Sequence, residues 1–257
     1  MHKFVTLEIK KILLPCTLVA ILVVAVNCII AFASKDSYVF YRNIELWEQF
    51  NQVFVFIYAA LASMPICWVV YYERKNNYIV YTLPRISKKK YILTKWLITA
   101  VAGALVIFII SFVGLLISLY VFDPITTISD MNDRAETAHF AGYYFVNHPL
   151  QYGLLLSIWR AFLGFLIATM GYVLSLYEKN IFIVLSGPFV FTLIDSFILA
   201  NVHIPQYNLT TSFEPSSLVV GSTSPLTFLV GVLILVLAIT AIYVFYHVFR
   251  KEDIYQI

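Results

Sequence analysis

Charged residues are scarce in this chain of 257 residues, and that scarcity excludes a soluble protein. Only 12% of the residues are Asp, Glu, Lys or Arg, whereas 61% are hydrophobic. Soluble domains carry about 25% charged residues. The formal net charge is only +3, and the Lys and Arg are concentrated in a few segments, so nucleic acid is not an expected partner. The composition predicts an integral membrane protein.

The chain is also poor in cysteine, and it lacks the motifs of several common enzyme classes. Its three cysteines, Cys16, Cys28 and Cys67, lie in apolar runs, which favours buried thiols over disulfides or metal ligands. There is no P-loop, no Gly-rich dinucleotide turn, no paired-His zinc-protease motif and no Gly-x-Ser-x-Gly elbow. We therefore expect no enzymatic activity, no metal site and no cofactor in this chain.

Long apolar runs are abundant and predict an all-α membrane fold. A helix needs about 20 apolar residues to cross a hydrocarbon core of about 30 Å. The first run is too long for a cleavable signal peptide and is expected to remain as an anchor. Six runs predict transmembrane helices within a single domain over residues 1–257, at 12–34, 50–72, 96–122, 153–177, 180–200 and 225–249.

The distribution of Lys and Arg predicts that both termini are cytoplasmic. With the N-terminus inside, the inner segments carry 13 Lys and Arg and the outer segments carry three, with Arg160 left near the membrane. Cytoplasmic loops are enriched in these residues. The first eleven residues alternate apolar and charged side chains, which predicts a short interfacial helix on the inner leaflet. The alternative is a frayed, solvated N-terminus.

Two outer segments are longer than turns. Segment 123–149 is first acidic and then aromatic, and its Tyr143, Tyr144 and Phe145 suit the membrane–water interface. Segment 201–224 is rich in Ser, Thr, Pro and Asn, which predicts an extracellular loop.

Two ionisable residues are predicted at membrane depth, where charge is expensive. Arg160 lies 18 residues before the inner end of the fourth span, and Asp195 lies 15 residues after the inner end of the fifth. Both therefore fall in the outer third of adjacent antiparallel helices. They could form an ion pair, or each could reach the outer interface separately. Pro65 and Pro188 are expected to kink the second and fifth spans.

Segment 73–95, between the second and third spans, holds seven of the 17 Lys and Arg. It begins at Glu73, continues through the tyrosine-containing stretch 78–81, passes a Leu-Pro-Arg turn that ends at Arg85, and finishes at Lys95. Ordinary enrichment of cytoplasmic loops in positive charge explains the basic residues but not this order. The order predicts a docking surface for a partner protein.

In this order of residues the loop resembles that of the membrane subunits of type-2 ABC exporters. That family has an acidic residue where the loop leaves the membrane, a short coupling helix, a Pro-containing turn with a basic residue, and a Lys before the third helix. Segment 172–189 also resembles the family's short inner turn and its Pro-containing fifth helix. The chain departs from the family at Asn76-Asn77, where Gly-Thr is common, and in its long outer segment 123–149.

The resemblance implies six transmembrane helices, cytoplasmic termini, an N-terminal interfacial helix and a cytoplasmic coupling helix. It implies two ATPase subunits that carry ATP and Mg, a second permease chain forming a homodimer or heterodimer, and a bacterial cytoplasmic membrane whose lipid surrounds the chain. The implied function is export of an amphipathic or hydrophobic cargo, with a bacteriocin, toxin or antimicrobial peptide favoured. The alternative is a membrane scaffold or immunity protein that works without an ATPase.

The same resemblance assigns two sets of residues in the loop. Coupling to the ATPase is expected from Glu73, Arg74, Lys75, Asn76, Asn77, Tyr78, Ile79 and Tyr81. A basic cluster is expected to hold the loop at the inner leaflet, formed by Arg85, Lys88, Lys89, Lys90 and Lys95.

Overall fold

A computed structural model describes residues 2–35, 40–82, 86–123, 136–137, 139–215 and 224–249 of the chain. Within these ranges every regular element is a helix, which confirms the expected all-α class for the described part of the chain. The elements, in order, are α1 (His2–Lys35), α2 (Asn43–Phe54), α3 (Tyr58–Lys75), α4 (Tyr78–Thr82), α5 (Lys88–Tyr120), α6 (Gly142–Asn147), α7 (Pro149–Tyr177), α8 (Ile181–Asn201), a 3₁₀ turn (Pro205–Tyr207), α9 (Leu209–Phe213), α10 (Pro225–Val244) and a π-helical turn (Phe245–Phe249).

The long helices have the dimensions of membrane spans. In the described ranges, α1, α5, α7, α8 and α10 are each long and apolar enough to cross a bilayer. Helices α2 and α3 form a sixth candidate span that bends by 59° at residues 55–57. The chain therefore has the helices of a multi-pass membrane protein. We call the end of the bundle that carries α4 the inner end, and its cytoplasmic orientation stays a prediction from charge.

The N-terminus differs from the expected arrangement. Residues 2–35 form one continuous helix, so no separate interfacial helix precedes the first span. Two charged side chains of this region turn into the bundle, where Glu8 accepts a hydrogen bond from Lys95 and Lys11 donates one to Glu73. Because α3 and α5 supply these partners, the first turns of α1 continue along the bundle, and the predicted interfacial helix is wrong.

Helix α7 forms the centre of the bundle and packs closely on α5. At Gly103 of α5, an added Cβ would lie 2.5 Å from the Cβ of Ala168 and 2.8 Å from the carbonyl oxygen of Ala62. Small residues allow such close backbone approach between membrane helices. The main apolar core surrounds this contact and includes side chains from α1, α3, α5, α7 and α10.

Part of the second outer segment also belongs to this core. Leu209 and Phe213 of α9 are fully buried in it, and all residues from 208 to 215 are buried. The side chain of Asn208 caps α9 by accepting a hydrogen bond from the backbone N–H of Thr211 at 2.7 Å, which satisfies a backbone donor that would otherwise require water. Residues 205–215 are therefore not an open loop as expected, because they fold back into the outer end of the bundle, and their extracellular side stays a prediction.

Candidate functional site

The loop between α3 and α5 contains a short helix at the inner end of the bundle. Helix α3 ends at Lys75, Asn76 and Asn77 form a turn, and α4 covers Tyr78–Thr82. Asn77 has a φ of 53°, in the left-handed region that Gly and Asn tolerate best. Asparagine tolerates this left-handed conformation. It can therefore occupy a turn near which the resembled family often has glycine.

The base of this loop is a cluster of four charged side chains from three helices, which we call the inner charge cluster. Lys95 of α5 donates hydrogen bonds to both Glu8 of α1 and Glu73 of α3. Lys11 lies 2.6 Å from the same Glu73 and 3.1 Å from Glu8. Two cations and two carboxylates are thus arranged in alternation, so burial of each charge is compensated by two opposite charges.

Lys95 is therefore placed differently from the rest of the expected basic cluster. Its side chain is only 3% exposed and is committed to two carboxylates. Lys88, Lys89 and Lys90, the first residues of α5, are exposed. Arg85 lies outside the described residues. The assignment of Lys95 to the inner-leaflet cluster is corrected, because Glu8 and Glu73 withdraw it into the bundle.

The tyrosines of α4 are accessible, whereas part of the expected cationic surface is already engaged. Tyr81 is 74% exposed and Tyr78 is 38% exposed. The ammonium of Lys11 lies 4.5 Å from the centre of the Tyr78 ring, a cation–π contact that joins α4 to the inner charge cluster. Ile79 lies in α4, between these tyrosines in the sequence.

Arg74 and Lys75 both contact groups of their own chain. Arg74 donates to the carbonyl oxygen of Glu178 in the turn between α7 and α8, and its guanidinium lies 5.6 Å from the Tyr71 ring. Lys75 lies 6.0 Å from the ring of Tyr72. Arg74 therefore ties α3 to the next inner turn, in addition to any contact with a partner.

A groove of about 470 Å³ opens beside α4, between α1 and α3. Aromatic side chains supply four of its eight lining residues, and the inner charge cluster contributes Lys11 and Glu73. The residues that line it are Lys11, Trp68, Val69, Tyr72, Glu73, Asn76, Tyr78 and Tyr81. The inner end thus presents an aromatic surface with a compensated charge cluster below it.

A second charge cluster, the outer charge cluster, lies at the opposite end around Arg160. The guanidinium donates to Glu214 through Nη2, to Ser111 Oγ through Nη1 at 2.8 Å, and to the carbonyl oxygen of Phe213 through Nε at 2.9 Å. It also lies 4.4 Å from the ring of Trp47. Arg160 and Glu214 are both fully buried.

The expected Arg160–Asp195 ion pair is wrong. Asp195 instead accepts a hydrogen bond from the backbone N–H of Leu209 at 2.8 Å, at the start of α9. The physical reason is the inward fold of residues 205–215, because it brings Glu214 to Arg160 and the N-terminus of α9 to Asp195. Both residues of the predicted pair hold this segment, but through different partners.

Both prolines that were expected to kink helices lie inside helices. The 59° bend of the bundle lies at neither of them. Pro65 is within α3 and Pro188 is within α8. The 59° bend occurs at residues 55–57, between α2 and α3. Kinks at Pro65 and Pro188 stay predictions.

The aromatic outer segment packs onto the ends of α2, α7 and α10. His139 stacks on Phe145 with ring centres 3.9 Å apart, and Phe140 contacts Phe228 of α10 at 4.7 Å. Beneath these residues lies a groove of about 390 Å³ whose wall is almost entirely apolar. Among the residues of the described ranges, no group of three or more His, Cys, Asp or Glu could hold a metal ion.

Sequence reasoning missed Glu8, Glu214 and Trp47 as members of these clusters. Glu8 carried a signal, since it lies three residues before Lys11 and therefore on the same helix face. Glu214 carried none, because it lies in a segment with the composition of a loop. Trp47 lies before the predicted second span, and its indole N–H donates to the carbonyl oxygen of Ser111 at 2.8 Å.

Comparison with known proteins gives no relative for this arrangement. No family model matches the chain, and neither a curated protein nor a solved structure is significantly similar to it.

Proposed function

We propose that this chain is the membrane subunit of an ATP-driven exporter, powered by two separate ATPase subunits and paired with a second membrane chain. Its cargo is an amphipathic or hydrophobic molecule, with a peptide favoured, moved out across a bacterial cytoplasmic membrane. The observation that carries the proposal is the connection of α4 to three long helices through the inner charge cluster.

The surface of α4 supports a docking role. Exposed tyrosines are suited to protein interfaces because one end of the ring is apolar and the hydroxyl can form hydrogen bonds. Tyr81 is mostly exposed, and Tyr78 lies beside it on the wall of the inner groove. A soluble partner could bury both rings without disturbing the apolar core.

The contacts below α4 support transmission of a movement. A pull on the loop acts on Glu73, which is bonded to Lys95 of α5 and to Lys11 of α1. Lys11 also contacts the Tyr78 ring. A displacement of α4 is therefore delivered to α1, α3 and α5 together, which is what a coupling element must do.

The first test is whether the neighbouring reading frame encodes a P-loop ATPase, and the second is whether that ATPase cross-links to this chain. Cys16, Cys28 and Cys67 are replaced by Ala, and single cysteines are introduced by Tyr81→Cys and, as a matched control, Tyr120→Cys. Tyr120 is 69% exposed at the opposite end of α5. A bifunctional thiol–amine reagent is expected to join the ATPase to the chain through position 81 and not through position 120.

A binding measurement completes the test. The double substitution Tyr78→Ala with Tyr81→Ala is expected to weaken co-purification of the ATPase at least about tenfold, equivalent to about 1.4 kcal/mol. The proposal fails if no ATPase co-purifies with the chain, or if both cysteine positions cross-link equally. Retention of biological function without any ATPase would instead support the scaffold or immunity alternative.

A further inference from the structure

The outer aromatic segment is held to the bundle by a small number of specific contacts. We call residues 139–147, which comprise His139, Phe140, Ala141 and α6, the outer cap. Phe145 is only 1% exposed and contacts the ring of Tyr152 edge-on at 5.4 Å. Tyr143 and Tyr144, on the opposite face of α6, are largely exposed. The cap therefore rests on the buried Phe145 ring and on the contact between Phe140 and Phe228, while Tyr143 and Tyr144 are largely exposed.

The cap forms one side of the apolar groove of about 390 Å³ described above, which we call the outer groove. Phe140, Ala141 and Tyr144 belong to the cap and form one side of it. The other side is formed by α7 and α10, through Tyr152, Leu155, Leu156, Trp159, Phe228 and Leu229. Because the cap supplies one wall, movement of the cap away from α7 and α10 would open the groove.

Glu48 makes a polar contact between the cap and the bundle. His139 Nδ1 lies 3.5 Å from Glu48 Oε2, and the hydroxyl of Tyr152 donates to Glu48 Oε1 at 3.3 Å. Glu48 is 5% exposed and belongs to α2. One buried carboxylate therefore binds both the cap and the first turn of α7.

The charged groups around His139 favour its protonated form. Burial lowers the pKa of His139. Glu48 raises this pKa through its hydrogen bond and its charge, and the charge of Glu45 raises it further. The net result is a pKa above the ordinary value for histidine. Arg42 acts in the opposite direction. On α7, the hydroxyl of Tyr152 also contacts Glu48.

We propose that His139 is a proton-controlled clasp that holds the outer cap over the aromatic groove. When the imidazole is protonated, its attraction to Glu48 keeps the cap on α2 and the groove covered. When the imidazole loses its proton, that attraction falls and the cap separates from the bundle more often. The inference concerns the outer end only and stands without any ATPase.

The sign of the pH dependence follows from the two states of the cap. In the released cap, His139 has an ordinary pKa of about 6.5, whereas Glu48 raises the pKa in the docked cap. The clasp therefore acts fully below about pH 6.5 and is lost as the pH rises through the docked pKa. Each unit of difference between the two pKa values changes the docked-to-released ratio about tenfold.

The test measures cap mobility as a function of pH. A nitroxide label is attached after Tyr143→Cys, at an exposed position of α6, with Cys16, Cys28 and Cys67 replaced by Ala. The protein is held in nanodiscs of zwitterionic lipid, and electron paramagnetic resonance spectra are recorded from about pH 5 to about pH 9, a range that brackets the ordinary histidine pKa. We expect an immobile label at low pH and a growing mobile component above about pH 6.5.

Three substitutions assign the response to the clasp. His139→Gln and Glu48→Gln each remove one charge, so both should give a mobile label at every pH. His139→Lys keeps a cation and should give an immobile label at every pH. His148→Gln is the necessary control, because the His148 ring lies 6.1 Å from the ring of Tyr143, the labelled position, and it should leave the wild-type response intact.

Defined outcomes overturn the proposal. A pH response that persists in His139→Gln, or that disappears in His148→Gln, assigns the titration to another group. A mobile label in His139→Lys shows that charge at position 139 does not hold the cap. If His139→Gln fails to fold, Glu48→Gln and His139→Lys still decide the result, since they act from opposite sides of the same contact.

Discussion

The two charge clusters lie at opposite ends of the bundle and are built differently. The inner cluster alternates two lysines with two glutamates and is partly open, with Lys11 35% exposed and Glu73 13% exposed. The outer cluster is one arginine and one glutamate, both fully buried, with Ser111 and a backbone carbonyl completing the contacts. One cluster is near water, and the other is enclosed.

The chemistry of the cations matches this difference. A lysine ammonium is a compact charge on a flexible stem, so Lys11 and Lys95 can exchange between two carboxylates while the cluster stays neutral. The planar guanidinium of Arg160 directs its donors in fixed directions, and each of its three nitrogens has a partner. The inner cluster is thus suited to transmit small movements of α4, whereas the outer cluster is suited to fix residues 205–215 in one place.

The largest expected effect is at the outer cluster. Glu214→Ala leaves the buried guanidinium of Arg160 without a compensating charge, and breaking a buried pair in this way costs about 3–5 kcal/mol. We expect that loss in the free energy of unfolding, measured by denaturation with sodium dodecyl sulfate in mixed micelles. This measurement distinguishes Glu214, the partner of Arg160 in the structure, from Asp195, the partner that the sequence indicated.

Asp195→Asn is the matched control for this prediction. The amide oxygen of the substituted side chain can still accept from the backbone N–H of Leu209, so a loss of no more than about 1.5 kcal/mol is expected. Replacement of both partners, by Arg160→Met with Glu214→Met, should recover most of the stability because no charge then remains buried. Equal losses in Glu214→Ala and Asp195→Asn would contradict the observed pairing.

A smaller effect is expected at the inner cluster. Lys95→Met removes one of two cations, but the remaining carboxylates can draw on Lys11 and on water at the open side of the cluster. The expected loss is about 1.5–3 kcal/mol, that of hydrogen bonds to charged groups, and it is measured by the same unfolding assay.

Lys89→Met provides the comparison for Lys95→Met. Lys89 is an exposed residue in the first turn of α5, so its replacement should change stability by no more than about 0.5 kcal/mol. If the two lysines gave the same small change, Lys95 would belong with the surface cluster after all.

Much of the fold is predictable from the sequence, and the exceptions have physical causes. The apolar runs are long enough to predict helices at α1, α5, α7, α8 and α10, because hydrocarbon thickness fixes the required length. The inward fold of residues 205–215 depends on tertiary contacts with Arg160 and Asp195. No local pattern specifies those contacts.

The candidate site shows the same division. The resemblance of the loop that begins at Glu73 to the type-2 exporter loop implied a short helix, and α4 lies in that segment with Tyr81 exposed. Which acid pairs with Arg160 is decided by the path of a distant segment, and the depth of Arg160 alone favoured Asp195. Matched depth on adjacent helices is thus a weak predictor of pairing when a third segment can enter the bundle.

A further small effect separates Ser111 of the outer cluster from its neighbour Ser157. Ser157 Oγ donates to the carbonyl oxygen of Gly153 at 2.7 Å, so the 2.9 Å contact with Ser111 is assigned to the hydroxyl of Ser111 as donor. Ser111 Oγ in turn accepts from Arg160.

Ser157→Ala removes one contact between neutral groups on neighbouring helices and should cost about 0.6 kcal/mol. Ser111→Ala leaves a buried guanidinium donor without its acceptor and should cost at least about 1 kcal/mol. Unfolding in mixed micelles measures both, and a Ser157→Ala loss equal to or larger than that of Ser111→Ala would show that Arg160 does not depend on this acceptor.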